Sequence, residues 1–239
     1  MHRFFAPDIE NNLVLPEVES QHCVRVLRLK EGDEIEVIDG AGRLFRCAIT
    51  LAHSKKCGIE ILETIEETPH WGNKIIIGIA PTKNLDRMEW MSEKVAEMGV
   101  DRIIPLKCRF SERKELKTER LQKILVSAMK QSLKSTLPTL DEMTPVNNIL
   151  KMPFDGDKFI AYCDDEVERK LLAHEYHPDR DTIILIGPEG DFSKEEVALA
   201  MDNGFVPVTL GDSRLRTETA ATFACAMCHA LKQASSKKK

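Results

Sequence analysis

The sequence predicts an α/β protein: a small β-rich module over residues 1–70, then a parallel-sheet domain over residues 74–234. Three observations lead there. Short segments that alternate apolar and polar residues crowd the first seventy positions. From Lys74 onward, apolar β-branched runs take turns with segments of helical period. Two glycine-containing loops, 187–191 and 210–219, follow strand-like runs and open helix-like ones. That is where ligand loops sit at the carboxyl ends of parallel strands.

In the first module, Glu34–Ile38 alternates, and Asp39-Gly40-Ala41-Gly42 is turn chemistry. Phe45, Cys47 and Ile49 then alternate with Arg46 and Ala48, which predicts a hairpin. Residues 58–62 are a further strand. Val24, Leu27 and Leu29 suggest a short helix ahead of Gly32. The acidic stretch 63–73, with Pro69 and Gly72, is expected to be a linker.

In the second domain, residues 74–80 have the continuous apolar character of a strand buried on both faces. Leu85, Met88, Met91, Val95 and Met98 recur at helical spacing, and Gly99 stands just past the helix end. Residues 102–106 form the next strand. Residues 119–137 form a long amphipathic helix that Pro138 ends, with Lys123, Ser127, Lys130 and Lys134 opposite its apolar stripe. Residues 158–163 and Thr182–Ile186 are strands. Residues 193–203 are a helix with a Ser193/Glu196 capping box. Residues 207–210 are the last strand and 217–232 the last helix, followed by a loose basic tail at 235–239. About five parallel strands result.

Bulk properties narrow the function classes. The chain has 239 residues, 42% hydrophobic and 31% charged, enough apolar mass for a core. No apolar run is long enough to span a bilayer, and the first residues lack the apolar stretch of a secretory signal. A cytoplasmic protein without membrane partners is therefore expected. Seven scattered cysteines are not a disulfide framework. Net charge is −5, yet from Arg102 to Lys134 ten basic residues face three acids, a local +7. Such a run is either a solvated helical face or a phosphate-facing patch.

The chemistry concentrates in the two loops. No GxGxxG turn follows the first strand, because Pro81-Thr82-Lys83 stands there, and there is no Walker loop. In Gly187-Pro188-Glu189-Gly190-Asp191-Phe192-Ser193 the glycines permit close backbone approach to a ligand. In Leu210-Gly211-Asp212-Ser213-Arg214-Leu215-Arg216-Thr217-Glu218-Thr219 a helix N-terminus supplies free N–H groups and the positive end of a dipole. Each loop alone is equally a tight turn, or a helix capped by Thr217 with a surface ion pair.

Taken together, a strand ending in GPEG-x-F-S and another ending in LG-x-x-x-LR-T-ETA resemble the SPOUT class of methyltransferases. Within that class the chain is similar to the bacterial 16S rRNA uridine-N3 methyltransferases. Met1-His2-Arg3-Phe4-Phe5, residues 22–28 and residues 32–40 resemble that family's PUA-like RNA-binding β-barrel. Residues 83–106 and 120–138 resemble its first β–α unit and long middle helix. Asp191 departs from the pattern where a second glycine is frequent, and Ser213-Arg214 replace a basic-then-aliphatic pair.

The resemblance implies a trefoil knot in the C-terminal strands, a homodimer with the site near the subunit interface, and S-adenosylmethionine as methyl donor. It assigns Ile186, Gly187, Gly190, Leu210, Gly211, Leu215 and Thr217 to the cofactor. Arg216 is expected to stabilise the uracil oxygens. Glu218 or Glu189 either takes the N3 proton or holds Arg216 in place. Arg3, Arg25, Arg28, Arg109, Arg113, Lys130 and Lys134 are candidate contacts to the RNA, which is 16S rRNA or the small ribosomal subunit.

Competing readings are a non-catalytic RNA-binding protein and a related enzyme acting on tRNA or on a ribose hydroxyl. The Cys225-Ala226-Met227-Cys228-His229 run has haem-attachment spacing. It sits in an alanine-rich helix, however, where buried cysteines explain it better. The dispersed histidines argue against a metal site.

Overall fold

The computed structural model describes residues 2–164 and 167–235, so the expected basic tail lies outside the described residues from 236 onward. The chain divides into two compact units. One takes the residues up to His70 together with Val126–Leu137, and the other takes Trp71–Leu125 and the residues from Pro138 on.

The first unit contains β1 (Arg3–Phe5), α1 (Glu17–Gln21), a π-helical turn (His22–Val26), β2 (Glu34–Ile38), β3 (Arg43–Leu51) and β4 (Gly58–Glu66). The strands lie in chain order, with β1 parallel to β2 and the remaining pairs antiparallel. The hairpin between β2 and β3 is closed by Asp39, whose Oδ1 accepts from the backbone N–H groups of Ala41 and Arg43 at 2.7 and 3.1 Å. Alternation sends Ile35, Val37, Phe45, Cys47 and Ile49 into a core with Phe4, Leu15 and Cys23. The outer edge of β4 does not stay bare, because the chain around Val14 pairs with it through Leu15 N to Cys57 O and Ile59 N to Leu13 O.

Residues 63–66, expected in a linker, extend β4 instead. Composition misleads here because the glutamates face cross-strand partners: Glu63 pairs in register with Arg46, whose Nη1 donates to it at 2.8 Å. Ile65 points the other way, against Ile38, Leu44 and Met129.

The second unit contains β5 (Ile75–Ile79), α2 (Leu85–Met98), β6 (Arg102–Lys107), α3 (Glu119–Gln131), β7 (Thr139–Leu140), β8 (Thr144–Pro145) and α4 (Val146–Leu150). It continues with β9 (Asp157–Ala161), β10 (Lys170–Leu171), α5 (Leu172–Glu175), β11 (Thr182–Ile186), α6 (Lys194–Asp202), β12 (Val206–Thr209) and α7 (Thr217–Ser235). Because the units divide at Val126, α3 starts in this one and ends among the residues of the first. The sheet runs β10-β12-β9-β11-β5-β6-β7, with β8 also on β6, and every pairing is parallel. The five long strands are those expected from sequence. The two-residue strands β7, β8 and β10 are too short to leave a period.

The strand order positions the site. After β6 the chain reaches β9 on the far side of β5, leaving one strand's width between them, and β11 fills it. Ile75–Ile79 and Thr182–Ile186 are buried at every position, as strands covered on both faces must be. One face is covered by α4 and α6 through Val146, Ile149, Leu150, Val197 and Ala200. On the other, α7 packs on β5, β11 and α2. Cys225 and Cys228 are fully buried within α7, and a ring nitrogen of His229 lies 2.7 Å from Gly99 O, so the haem-like spacing serves helix packing.

The helix expected over residues 119–137 ends at Gln131. Ser132 Oγ bonds back to Ala128 O at 2.7 Å and Leu133 turns into the left-handed region at φ 57°. The following residues leave the helix to meet the hairpin turn, with Gly42 N to Ser135 O at 3.1 Å and Leu137 N to Gly40 O at 2.9 Å.

Candidate active site

A cleft of about 1370 Å³ opens at the carboxyl ends of β9, β11 and β12. Its lining includes Ile186, Gly187, Gly190, Leu210, Gly211, Leu215 and Thr217, and also Glu189, Arg216 and Glu218. The structure therefore brings together every residue nominated for the cofactor or for catalysis. Strand adjacency explains this: β11 and β12 both flank β9.

The first loop is a tight turn in which Asp191 N donates to Pro188 O at 2.9 Å. A side chain at Gly187 would press on Phe192 and Asp191, with Cβ 3.0 Å from Phe192 Cδ2, so the glycine lets the turn fold onto itself. The second loop starts with Thr209 Oγ1, which donates to Gly211 O and accepts from Gly211 N. Gly211 has φ 132°, which a side chain rarely tolerates. The two loops are tied by Thr217 Oγ1, which donates to Gly187 O at 3.1 Å. Thr217 thus joins the loops instead of capping its helix.

The charged residues differ sharply in setting. Arg216 is exposed, immediately before α7. Glu218 is buried in the first turn of α7, where the helix dipole favours a negative charge, and its carboxylate lies 3.6 Å from Arg87 Nε. This pair is not the surface ion pair considered from sequence. Glu189 is exposed, and its Oε1 accepts from Lys83 N at 3.1 Å, joining the turn to the loop after β5.

Two groups in the cleft went unnoticed in the sequence. Arg87 sits on α2, far from either motif. Tyr162, Cys163 and Asp164, with Arg169, form a third loop after β9. The carboxyl-end rule for parallel strands applies to this loop too, but it carries no glycine motif. Asp191 reaches it: the carboxylate accepts from Cys163 N at 2.9 Å through Oδ2 and from Phe192 N at 2.8 Å through Oδ1. Burial pushes the Asp191 carboxyl up from its ordinary value, while these two N–H donors and the Arg214 charge pull it back.

The residues nominated for RNA are dispersed. Arg25 and Arg28 are exposed on the first unit, Arg28 with φ 58°. Arg3 is turned inward, bonded to Glu36 Oε2 by Nε and Nη2. Lys130 is held by Glu19 at 2.6 Å, and Lys134 is half-buried. In the second unit, Arg109 lines the cleft and pairs with Glu195 at 2.9 Å. Arg113 donates to the carbonyls of Thr82 and Lys83. Arg25 and Arg28 are thus the most available of the set, whereas Arg3 and Lys130 are engaged by carboxylates.

Among the described residues no group of His, Cys, Asp and Glu is arranged to hold a metal ion. No helix among them is long and apolar enough to cross a membrane.

Comparison with known proteins identifies the family of the chain. Residues 69–229 match the model of an RNA methyltransferase domain, and residues 15–62 match that of an RNA methyltransferase PUA domain. The ribosomal RNA small subunit methyltransferase E of Aquifex aeolicus is 30% identical, over 92% of this chain and 95% of its own. The structure of a probable rRNA-methyltransferase from Porphyromonas gingivalis is 43% identical with a TM-score of 0.94, covering 98% of this chain and 99% of that one. The ribosomal RNA small subunit methyltransferase E of Neisseria gonorrhoeae, solved bound to S-adenosyl methionine, is 28% identical with a TM-score of 0.80, covering 97% and 98%. With its domain model matched across most of the length and its relatives aligned nearly end to end, the chain belongs to the ribosomal RNA small subunit methyltransferase E family of RNA methyltransferases.

Proposed function

We propose that this protein transfers the methyl group of S-adenosylmethionine to N3 of a uridine in 16S ribosomal RNA. The observation that carries the reading is the union of the two motif loops in one cleft, tied by Thr217 to Gly187 O. Small-molecule pockets usually measure about 300–1000 Å³, so a cleft of about 1370 Å³ has room for a nucleoside cofactor and a target base together. Its rim of glycines and backbone groups suits the close approach that an adenosine needs.

Ile186, Gly187, Gly190, Leu210, Gly211, Leu215 and Thr217 would hold the cofactor. When bound, it supplies a methyl group already activated on a sulfonium, so the protein's task is chiefly alignment. The N3–H bond of uracil must break as the N–C bond forms. The electron pair left at N3 would take the methyl carbon as its bond to sulfur breaks, that bond's pair staying on the departing neutral thioether, and the proton passes to a carboxylate. Arg216, exposed at the cleft, is placed to stabilise the charge that develops on the uracil oxygens. Glu218 or Glu189 is the proton acceptor or holds Arg216 in place; each already has one partner, Arg87 Nε at 3.6 Å for Glu218 and Lys83 N at 3.1 Å for Glu189. The uridine would leave its stack to enter the cleft.

The substrate is 16S rRNA, alone or within the small ribosomal subunit, met in the cytoplasm. Arg25, Arg28, Arg109 and Arg113 are its favoured phosphate contacts, with Lys134, Lys130 and Arg3 behind them. The trefoil threading of the C-terminal strands is taken from the family resemblance. A homodimer is inferred from the family resemblance. As to domains, residues 1–70 are taken as the RNA-binding module and 74–234 as the methyltransferase domain. The deciding experiment is mass mapping of methylated nucleosides in small-subunit rRNA from cells with and without the protein. Loss of one N3-methyluridine is expected, and an unchanged map would reject the reading.

A further inference from the structure

The loop after β11 receives more than its own turn. Three of its neighbours at the sheet's carboxyl edge donate backbone N–H groups to carboxylates from residues 189–196. Lys83 N meets Glu189, Cys163 N meets Asp191 and Arg109 N meets Glu196, at 3.1, 2.9 and 2.8 Å. Glu196 also closes the capping box of α6, and Glu189 is exposed. Asp191 differs from both. Like Glu189 it lines the cleft, like Glu196 it uses both carboxylate oxygens on backbone donors, and of the three it alone holds a left-handed φ, 64°.

A left-handed backbone is uncommon for any residue but glycine, with asparagine and aspartate the usual exceptions. Glycine would fit this turn at no steric cost. The aspartate brings a side chain that bridges two loops, one from each of two adjacent strands, β11 and β9. The start of the β9 loop is held at its neighbouring residue, where Tyr162 N donates to Val208 O at 3.2 Å and Arg169 Nη1 donates to Tyr162 O at 3.1 Å. Cys163, one position further into the cleft wall, is fixed to Asp191.

We propose that Asp191 is a positioning residue. Its carboxylate latches the Cys163 backbone to the turn after β11, and so presets the cofactor-facing wall formed by residues 162–164. This rests on the reading of the cleft as an S-adenosylmethionine site. A preset wall removes an ordering cost from binding, so its loss should weaken cofactor affinity more than turnover at saturation.

The test uses Asp191→Gly and Asp191→Asn in the full chain. Glycine keeps the turn and removes both acceptors. Asparagine keeps a side-chain oxygen for Phe192 N but presents an amide N–H₂ to Cys163 N. Hydrogen exchange without any ligand should reveal a protected Cys163 amide in the parent and an unprotected one in both variants. The Phe192 amide should stay protected in Asp191→Asn. Calorimetry with S-adenosylmethionine should give about tenfold weaker binding in both variants, with kcat at saturation within about twofold. Exchange unchanged at Cys163, or cofactor affinity unchanged while Cys163 opens, would overturn the proposal. If Asp191→Gly fails to fold, the near-isosteric Asp191→Asn decides alone. If the parent itself binds no S-adenosylmethionine, the reading of the cleft fails, whereas the exchange result still reports on the latch.

Discussion

Arg216 and Glu218 stand two positions apart, yet the fold gives them opposite environments. Arg216 is exposed to whatever enters the cleft, while Glu218 is buried beside Arg87. A guanidinium that stabilises charge only as the reaction proceeds should affect turnover and not cofactor binding. Arg216→Ala is therefore expected to lower kcat by about 10²- to 10³-fold with S-adenosylmethionine affinity unchanged by calorimetry. Retained turnover would remove Arg216 from the chemistry. A second residue-scale consequence concerns Asp101, whose Oδ2 accepts from Trp71 Nε1 at 2.9 Å and Ile75 N at 2.7 Å. Burial raises its carboxyl above the ordinary value, against the pull of the Ile75 and Trp71 donors. With the folded value above the unfolded one, the stability gained from its protonation is full below the ordinary carboxylate range. That gain disappears as pH rises through the raised folded value. Asp101→Asn keeps an oxygen for both donors and does not titrate. The unfolding free energy of the parent relative to this variant should thus fall with rising pH across that window, as read from urea melts at a series of pH values. A parallel pair of profiles would refute it.

Elements were legible where one face of a periodic segment met a core, and illegible where contacts distant in sequence decided. Leu85 to Met98 and the Ser193/Glu196 capping box could be read directly, since capping and helical spacing are local. The end of α3 could not. Its apolar period continues to Leu137, but the hairpin turn at Gly40–Gly42 draws residues 135–137 away. Glu63 to Glu66 resembled a linker because the arginine opposite, Arg46, lies on another strand. The loop after β9 was missed because nothing in the sequence says that β9 is the neighbour of β11. Leu133 carries the cost of the early stop, being a leucine in left-handed conformation and largely exposed. Leu133→Gly is expected to raise stability by about 1 kcal/mol, measured as a higher urea midpoint with unchanged slope. A lower midpoint would mean that the leucine side chain contributes more than its backbone strain takes away.

For the whole molecule, periodicity has no means to register an RNA substrate, and the knotted path and the dimer are expectations that rest on the family resemblance alone. The proposed dimer has a physical handle in Trp90 on α2 and Phe223 on α7, large apolar side chains left 46% and 44% exposed on two helices that pack together. Replacing both by glutamate should convert a dimer to monomer in sedimentation experiments, since interface aromatics carry about 2 kcal/mol or more each. An unshifted sedimentation coefficient would place the interface elsewhere. RNA affinity should fall steeply as salt rises from about 50 to 200 mM if phosphates are the main contact, and a flat response would leave the basic segment as solvated surface.

The placement of β11 between β5 and β9 also has a consequence for biosynthesis. Ile75–Ile79 pairs with β6 soon after both emerge, but its other edge waits for Thr182–Ile186. At about 5–20 residues per second of translation, the span from Ile79 to Ile186 leaves that edge open for about 5–20 s on the nascent chain. During this interval an isoleucine-rich strand offers unpaired backbone groups to any extended segment nearby. Fast translation or a ribosome-associated chaperone shortens or shields this exposure, so the yield of folded protein depends on events at the exit tunnel as well as on the stability of the finished sheet.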